Sequence, residues 1–575
     1  MEMKRLAVCL GLALAIGVAY YNALGNSFVF DDYLLVVDNG LVRTPSPVSQ
    51  LLLKPLSLGY RPLRTLSYII DYRLAGLQPW AFHVSNLFYH WITSCLVFLV
   101  ALRLTNPQNE KGRWQVREGE NAWRWRSAIF IAALWALHPV QTDAVTYISG
   151  RRDILGGLCL FLGLWAYLRF RAVESASMWR YGWLLLSCAV YSFGLLSKES
   201  VLVLPLLCWL YDVQHEGIGE SLRRRWALYF LVLFVGAAVL WYFAGWILMA
   251  TFMRSSWYGG SLEGNFATVA RIWVHYLAVM IFPQTLLGDY SYEAFPASPS
   301  FLQPEVLTAL GILGVVAVGL WLLARWWPLC GYGGLWLVVS LLPVSHVIPI
   351  KEIAAEHYLY VPLFGFCLIL GVILDALSGT GVTQGVLGAR LRAAVVYTLV
   401  VLLLVEAVAR IRVRNSDWAD EETFWSVTVL TAPRSARAHY NLAGVYKRTQ
   451  RKQEAAQEFA KTLAIVPRHV GAVIGLGELA FETGHYGQAL AYATQAQQLA
   501  PRNPRAIYLL GWVKFGLKEL DEAEMLFQQA ETLMPNYPGV YAGLEAVAKE
   551  RGDKEAETRW ADKRRALEAR AGRTG

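Results

Sequence analysis

A chain of 575 residues with 56% apolar and 17% charged side chains departs from the soluble average of roughly 45–50% and about 25%, which excludes an ordinary soluble enzyme in favour of a polytopic membrane protein. The net charge of +9 sits largely on arginines flanking apolar stretches, so it marks topology rather than a nucleic-acid surface. Seven cysteines, Cys9, Cys95, Cys159, Cys188, Cys208, Cys330 and Cys367, lie in apolar stretches without a CxxC pair, which argues against a disulfide scaffold or a zinc site.

Helices that span a bilayer need roughly 17–25 apolar residues. In chain order such stretches occupy residues 6–24, 82–102, 128–148, 154–170, 181–197, 201–212, 226–252, 304–324, 335–350, 359–377 and 393–409, which predicts about eleven crossings. The sixth is short and runs through Pro205. Residues 270–287 are apolar but contain Arg271, His275 and Pro283, so an interfacial or re-entrant pair of helices is expected there. Lys4 and Arg5 precede the first span, Arg103 to Arg126 follow the second, Arg169, Arg171 and Arg180 the fourth, and Arg223, Arg224 and Arg225 the sixth. With Arg325, Arg390 and Arg392 beyond the eighth and tenth, the positive-inside rule makes all these loops cytoplasmic and the opposite loops outward. A cleavable signal peptide is the competing reading of the first span, and its loss alters none of the motifs below.

Beyond residue 412 the pattern changes. Pro433, Pro467, Pro501 and Pro535 recur every 34 residues, the period of the tetratricopeptide repeat, in which two antiparallel helices pack through small residues and a proline ends the second. The first full unit reads Asn441, Leu442, Ala443, Tyr446, Ala455, Phe459 and Pro467; the second Leu476, Gly477, Ala489, Ala496 and Pro501; the third Leu510, Gly511, Ala523, Phe527, Ala530 and Pro535. Phe424 and Trp425 mark half a repeat between Asp417 and Pro433, and residues 541–566 form a polar closing helix. The expected fold is all-α: a membrane domain over residues 1–412 and an α-solenoid over residues 413–575 on the outward side. Such arrays bind peptides or proteins and carry no chemistry of their own.

Conspicuous polar motifs crowd the outward loops. The first holds Phe30-Asp31-Asp32-Tyr33, Tyr60-Arg61-Pro62 and Asp71; after the third span come His138-Pro139, Asp143 and Gly150-Arg151-Arg152-Asp153. The fifth ends in Ser197-Lys198-Glu199, and His346, Lys351, Glu352, Glu356, His357 and Tyr358 follow the ninth. Ionisable groups at membrane depth are costly, so several on one face argue for a site. Adjacent carboxylates supply a base for a hydroxyl nucleophile, while Arg and Lys at the interface hold a phosphate that leaves with growing negative charge. The combination suits an outward-facing transferase that uses a lipid-borne phosphate. No Cys or Ser constellation offers a protein nucleophile. Without such alignment the alternative would be a non-enzymatic scaffold anchoring repeats for envelope or secretion assembly; a lipid-linked transporter or polymerase would place its charges midway through spans.

The order FVFDDYLLVVDN, YRPLRTLSYIIDY, FHVSNLFYH, ALHPVQTDAVTYISGRRDILG, LLSKES and LPVSHVIPIKEIAAEHYLYVP, followed by the repeats, resembles the transmembrane and tetratricopeptide-repeat-containing O-mannosyltransferases and their prokaryotic relatives across almost the whole chain. The resemblance implies a GT-C glycosyltransferase fold, a polyprenyl-phosphate sugar donor such as dolichyl-phosphate mannose, and Ser or Thr hydroxyls of extracytoplasmic proteins as acceptors; a glycan or lipid acceptor is the alternative. It makes Asp31 the general base. Asp32 is either its partner in orienting the acceptor or the cap of the next helix. Arg61, Arg151 and Lys198 fall to the donor phosphate, with Arg152 an interfacial anchor. His138, Asp143, Glu199, His346, Glu356 and Tyr358 fall to the acceptor groove or the shell behind it, although His138 equally ends a helix and Glu199 equally pairs with Lys198.

Two positions depart from the family. Relatives commonly carry Ala-Glu-Arg where this chain has Ala355-Glu356-His357, and Glu where Asp143 stands. If His357 occupies a phosphate-binding position, a weaker or pH-sensitive grip is expected, because histidine is no permanent cation near neutrality, or Lys351 takes over. A divalent cation shared by Asp31, Asp32 and His346 is disfavoured for want of ligand spacing, so no cofactor is expected and the lipid-linked sugar is a substrate. The remaining partners are membrane lipids and acceptor proteins held by the repeats, with no nucleic acid. The expected location is a bacterial inner (plasma) membrane with the active face outward, or the ER membrane in a eukaryote.

Overall fold

Proline sets where several helices begin. In a computed structural model of the chain, which describes residues 2–44, 61–105, 121–173, 178–254, 257–291, 294–347, 350, 352–378 and 386–574, helices open on proline at Pro62–Ala75, Pro79–Leu104, Pro304–Trp326 and Pro328–Leu341. The missing N–H costs nothing there, because the first turn has no partner for it. No strand occurs among the described residues. The chain divides into two units, residues 1–287 with 296–420 and residues 288–295 with 421–575. The expected border at 412/413 therefore falls inside a helix, Val386–Asp417.

Among the described residues of the first unit five helices, Glu2–Gly25, Pro79–Leu104, Ile148–Ala172, Pro304–Trp326 and Arg390–Asp417, are long and apolar enough to cross a membrane; Trp125–Ala136 and Pro139–Val145, bent by 48°, meet the same test together, as a broken span or a re-entrant loop. The chain is thus an integral membrane protein, and among the described residues the eleven expected crossings are not confirmed. Trp179–Leu195, Leu204–Glu216, Pro328–Leu341 and Leu363–Ser378 have 17, 13, 14 and 16 residues, at or below the minimum of roughly 17 for a bilayer core. Apolar length in the sequence runs through turns that end helices, such as the 3-10 turn Leu342–Val344 after Leu341. Residues 270–287 also depart from expectation. One helix, Leu262–Ile281, replaces the pair: Pro283 lies beyond its end, and Arg271 is held sideways by the Pro296 carbonyl and the Ser298 hydroxyl at 2.9 and 2.8 Å.

Close packing brings the polar turns together. A Cβ on Gly157 would stand 2.5 Å from the Tyr360 ring, and one on Gly156 3.1 Å from Lys198 Cβ, so the helix carrying Arg152 lies against both neighbours only because these positions lack side chains. Tyr360 is pinned in turn: Trp135 Nε1 donates to its carbonyl at 3.0 Å and His90 bonds its hydroxyl at 3.0 Å.

In the second unit the 34-residue register persists. Ala436–Arg448 with Lys452–Ile465, Val470–Glu482 with Tyr486–Leu499, and Pro504–Gly516 with Leu520–Leu533 are the three expected repeats, and Glu421–Thr431 is the half repeat before them. Ala455, Ala489 and Ala523 are fully buried at the same place in each. The closing segment is a fourth pair rather than one helix, Pro538–Arg551 and Lys554–Thr574, because Gly552 turns the chain at φ +77°. Equivalent turns are made by Gln450, Gly484 and Lys518 at φ +62°, +78° and +68°, where a side chain costs about 1–2 kcal/mol. Gln450→Gly should therefore stabilise the array by about 0.5–1 kcal/mol, less than the full strain because glycine loosens the unfolded chain. Gly484→Ala should destabilise it by about 1 kcal/mol. Urea midpoints of the array's unfolding transition check both.

Candidate functional site

The site begins at a strained residue. Phe30 holds φ +52°, a region that costs a bulky side chain about 1–3 kcal/mol, and its ring stacks on Tyr147, which stacks on Trp418. The chain then enters a helical turn with Asp31 and Asp32, whose carboxylates have different fates. Asp32 is fully buried and accepts from the N–H groups of Val29 at 3.1 Å and Ser149 at 2.9 Å, and from the Ser149 hydroxyl. It does not cap the π-helical turn Tyr33–Val37 that follows; it ties the first loop to the turn before Arg151. Burial pushes its carboxyl up to about 7, against the pull of the Ser149 and Val29 donors. Asp31 is half-buried, makes no side-chain hydrogen bond among the described residues, and lies within electrostatic reach of Arg152 and Tyr147.

Four cations lie close enough to act on one another, and Arg152 among them is within electrostatic reach of Asp31. Arg61 and Arg64 sit at the start of Pro62–Ala75, Arg152 at the start of Arg151–Ala172, and Lys198 ahead of Glu199–Val203. Burial pushes the Arg64 guanidinium down to about 10, with Arg61 and Arg152 adding repulsion. Burial likewise holds the Lys198 ammonium well below its usual value, with Arg152 and Arg61 again opposing the charge. Like charges drawn together in this way are relieved by an anion among them. Lys198 pairs with Asp153 and lies 5.1 Å over the Tyr358 ring. Glu199 pairs not with Lys198 but with Arg61, at 2.6 Å and with 48% of its side chain exposed. Arg61 is itself 20% exposed and also donates to the Ser197 carbonyl at 2.9 Å.

Arg151 requires a correction. Its guanidinium is wholly buried and donates to Asn86 Oδ1 at 2.7 Å, the Phe82 carbonyl at 2.7 Å, Ser67 Oγ at 3.3 Å and Asp71, with the Tyr68 ring on its face. Those bonds leave it no reach to a phosphate; it clamps helices Pro62–Ala75 and Pro79–Leu104 to its own. Arg152, expected as an interfacial anchor, is instead the residue that enters the cluster. It retains 18% side-chain exposure and donates to Asp153 at 3.3 Å and to His357 Nε2 at 3.0 Å.

His357 therefore does not serve as a phosphate cation: burial lowers its affinity for a proton, and one of its ring nitrogens already faces a guanidinium. Asp143 bonds its other ring nitrogen at 2.8 Å and its backbone N–H at 2.9 Å, so Asp143 is engaged with His357 rather than lining an open groove. Three other expected residues are fastenings. His138 accepts from Val140 N–H at 3.3 Å and bonds the Met280 carbonyl at 2.9 Å, at the break between the two bent helices. His346 takes φ +55° and bonds the Ile353 carbonyl at 2.7 Å. Glu356 is buried, accepts from Leu287 N–H and pairs with Arg414 at 3.5 Å. Tyr60 and Lys351 lie outside the described residues. No three His, Cys, Asp or Glu side chains among the described residues gather as a metal site, so Asp31, Asp32 and His346 do not converge.

Two participants went unread in the sequence. Arg64 follows Arg61 by three residues, in the first turn of the helix that Arg61 precedes, a signal available beforehand. Ser149 had none, since its bonds to Asp32 depend on two loops meeting.

Residues 425–469 and 480–548 match models of the tetratricopeptide repeat. Along most of its length the chain is similar to proteins named protein O-mannosyl-transferase. To TMTC3 of Mus musculus it is 22% identical, covering 92% of this chain and 60% of the relative. To Tmtc3 of Drosophila melanogaster it is 24% identical, covering 94% and 65%, and to TMTC1 of Homo sapiens 24%, covering 82% and 56%. The chain thus spans about three fifths of the length of these relatives. Among solved structures, MamA covers 28% of this chain and 92% of its own at 17% identity and a TM-score of 0.24.

Proposed function

From kinship with the transmembrane and tetratricopeptide-repeat-containing O-mannosyltransferases over nine-tenths of the chain, we propose that this protein transfers a sugar, mannose first among candidates, from a polyprenyl-phosphate donor to Ser or Thr hydroxyls of extracytoplasmic proteins. One observation carries the reading: Arg64 and Lys198 each lie within electrostatic reach of Arg61 and Arg152, and Arg152 lies within reach of Asp31, an arrangement that suits a departing lipid phosphate near a base.

In this mechanism Asp31 takes the proton of the acceptor hydroxyl as that oxygen bonds to the anomeric carbon. The bond from that carbon to the phosphate oxygen breaks, and the lipid phosphate leaves with the electron pair, held by the four cations. A single displacement inverts the centre, so a β-linked donor gives an α-linked product. Asp32, bound to Ser149 and Val29, fixes the loop that carries Asp31. No cofactor is invoked. The active face is the extracytoplasmic one, at a bacterial inner membrane or, in a eukaryote, the ER.

The repeats present the acceptor, which makes the transfer step quasi-intramolecular. Deleting residues 421–574 should then reduce modification of whole proteins by roughly 10²-fold or more while sparing short Ser/Thr peptides, as read by labelled sugar incorporation. Equal loss with both acceptors would contradict presentation by the array. Parallel reactions with polyprenyl-phosphate mannose and glucose, scored by release of the labelled sugar on β-elimination, test the sugar and the linkage.

A further inference from the structure

We propose that Asp143 and His357 are a positioning couple that aims Arg152 at the donor phosphate through a neutral imidazole, an inference that rests on the reading of Arg152 as a phosphate ligand. The His357 ring is fixed from both sides, with Asp143 at 2.8 Å from Nδ1 and an Arg152 terminal nitrogen at 3.0 Å from Nε2. A guanidinium has no acceptor, so Nε2 must present its lone pair and Nδ1 must carry the proton, donated to Asp143. Protonating the ring sets N–H against N–H and expels Arg152.

Among the described residues the groups facing the ring are few. Asp143 and Arg152 bond it, the Glu352 carboxylate is 4.0 Å from Nε2, the Tyr358 ring meets it edge-on at 4.8 Å, and Lys198 acts on it through charge. Burial, helped by Arg152 and Lys198, keeps the imidazole below its ordinary value although Asp143 pulls the other way. The couple is consequently intact at neutral pH and fails as pH falls through that lowered value. Arg152 then turns to Asp153, which it already meets at 3.3 Å, or to Glu352, and leaves the phosphate. Because the couple acts only through Arg152, and the donor phosphate is already anionic when it binds, the loss shows in donor KM.

The test uses the full chain in lipid nanodiscs. In wild type, donor KM for polyprenyl-phosphate mannose should rise roughly tenfold between pH 7.5 and pH 5. His357→Gln keeps an acceptor for Arg152 and loses the titrating ring, so its KM should be flat with pH and within about threefold of wild type at neutrality; His357→Leu should show a high KM at every pH. An unchanged acid limb in His357→Gln, or a normal KM in His357→Leu, overturns the proposal. Nitrogen NMR of labelled histidine, assigned by difference from His357→Gln, reads the ring without any substrate. An Nδ1–H tautomer that titrates below 6.5 is expected, and an Nε2–H tautomer or a charged ring at pH 7 overturns the couple. Failure of the transferase reading would show separately, as no transfer by a wild type whose imidazole behaves as expected.

Discussion

Asp71→Ala should destabilise the protein by about 3–5 kcal/mol, the cost of leaving a buried charge without its partner. The cation left behind is Arg151, none of whose side chain meets solvent. Its other bonds go to Asn86, Ser67 and the Phe82 carbonyl, all neutral, and Tyr68 and Phe82 close its surroundings. Asp71 also accepts from the Ser85 hydroxyl at 2.6 Å, so the truncation strips two donors at once. Asp71→Asn keeps one acceptor and should cost less. Arg152→Met removes a partly exposed side chain and should leave the melting temperature nearly unchanged while weakening transfer. Melting of the purified protein in detergent, set beside transfer rates, separates the clamp from the ligand. If Arg152→Met melted as early as Asp71→Ala, the division between the two neighbouring arginines would fail.

Asp31→Asn should lower kcat by roughly 10²–10⁴, the range for losing a positioned general base. The substitution is nearly isosteric, and because Asp31 makes no side-chain hydrogen bond among the described residues, the fold has little to lose. Asp32→Asn differs. Its carboxylate accepts from Val29 and Ser149 on both oxygens, and an amide NH2 would oppose one of those donors, so loss of activity there comes with loss of stability. A silent Asp31→Asn would remove the base from the mechanism, and with it the reason for the strained turn at Phe30.

The repeats were legible because their period is local: prolines and alanines 34 apart mark helix ends and packing points regardless of the rest of the chain. Span count was less so, since apolar composition continues through turns such as Leu342–Val344, inside the expected span 335–350. At the site, residue types and motif order pointed to acids and cations meeting, but not to which arginine of Arg151-Arg152 turns inward. Adjacent helical positions differ by about 100°, and the choice is made by Asp71 and Asn86 on other helices. Pairings crossed for the same reason: Glu199 is adjacent to Lys198 in sequence, yet Arg61 binds it and Asp153 takes the lysine.

The most direct measurement is transfer of label from polyprenyl-phosphate mannose to an extracytoplasmic protein by the purified full chain, beside Asp31→Asn. Label released from wild-type product by β-elimination and nearly absent from the variant is the expected result. Failure of both to transfer mannose or any other polyprenyl-phosphate sugar offered would contradict the assignment of this membrane protein as a glycosyltransferase.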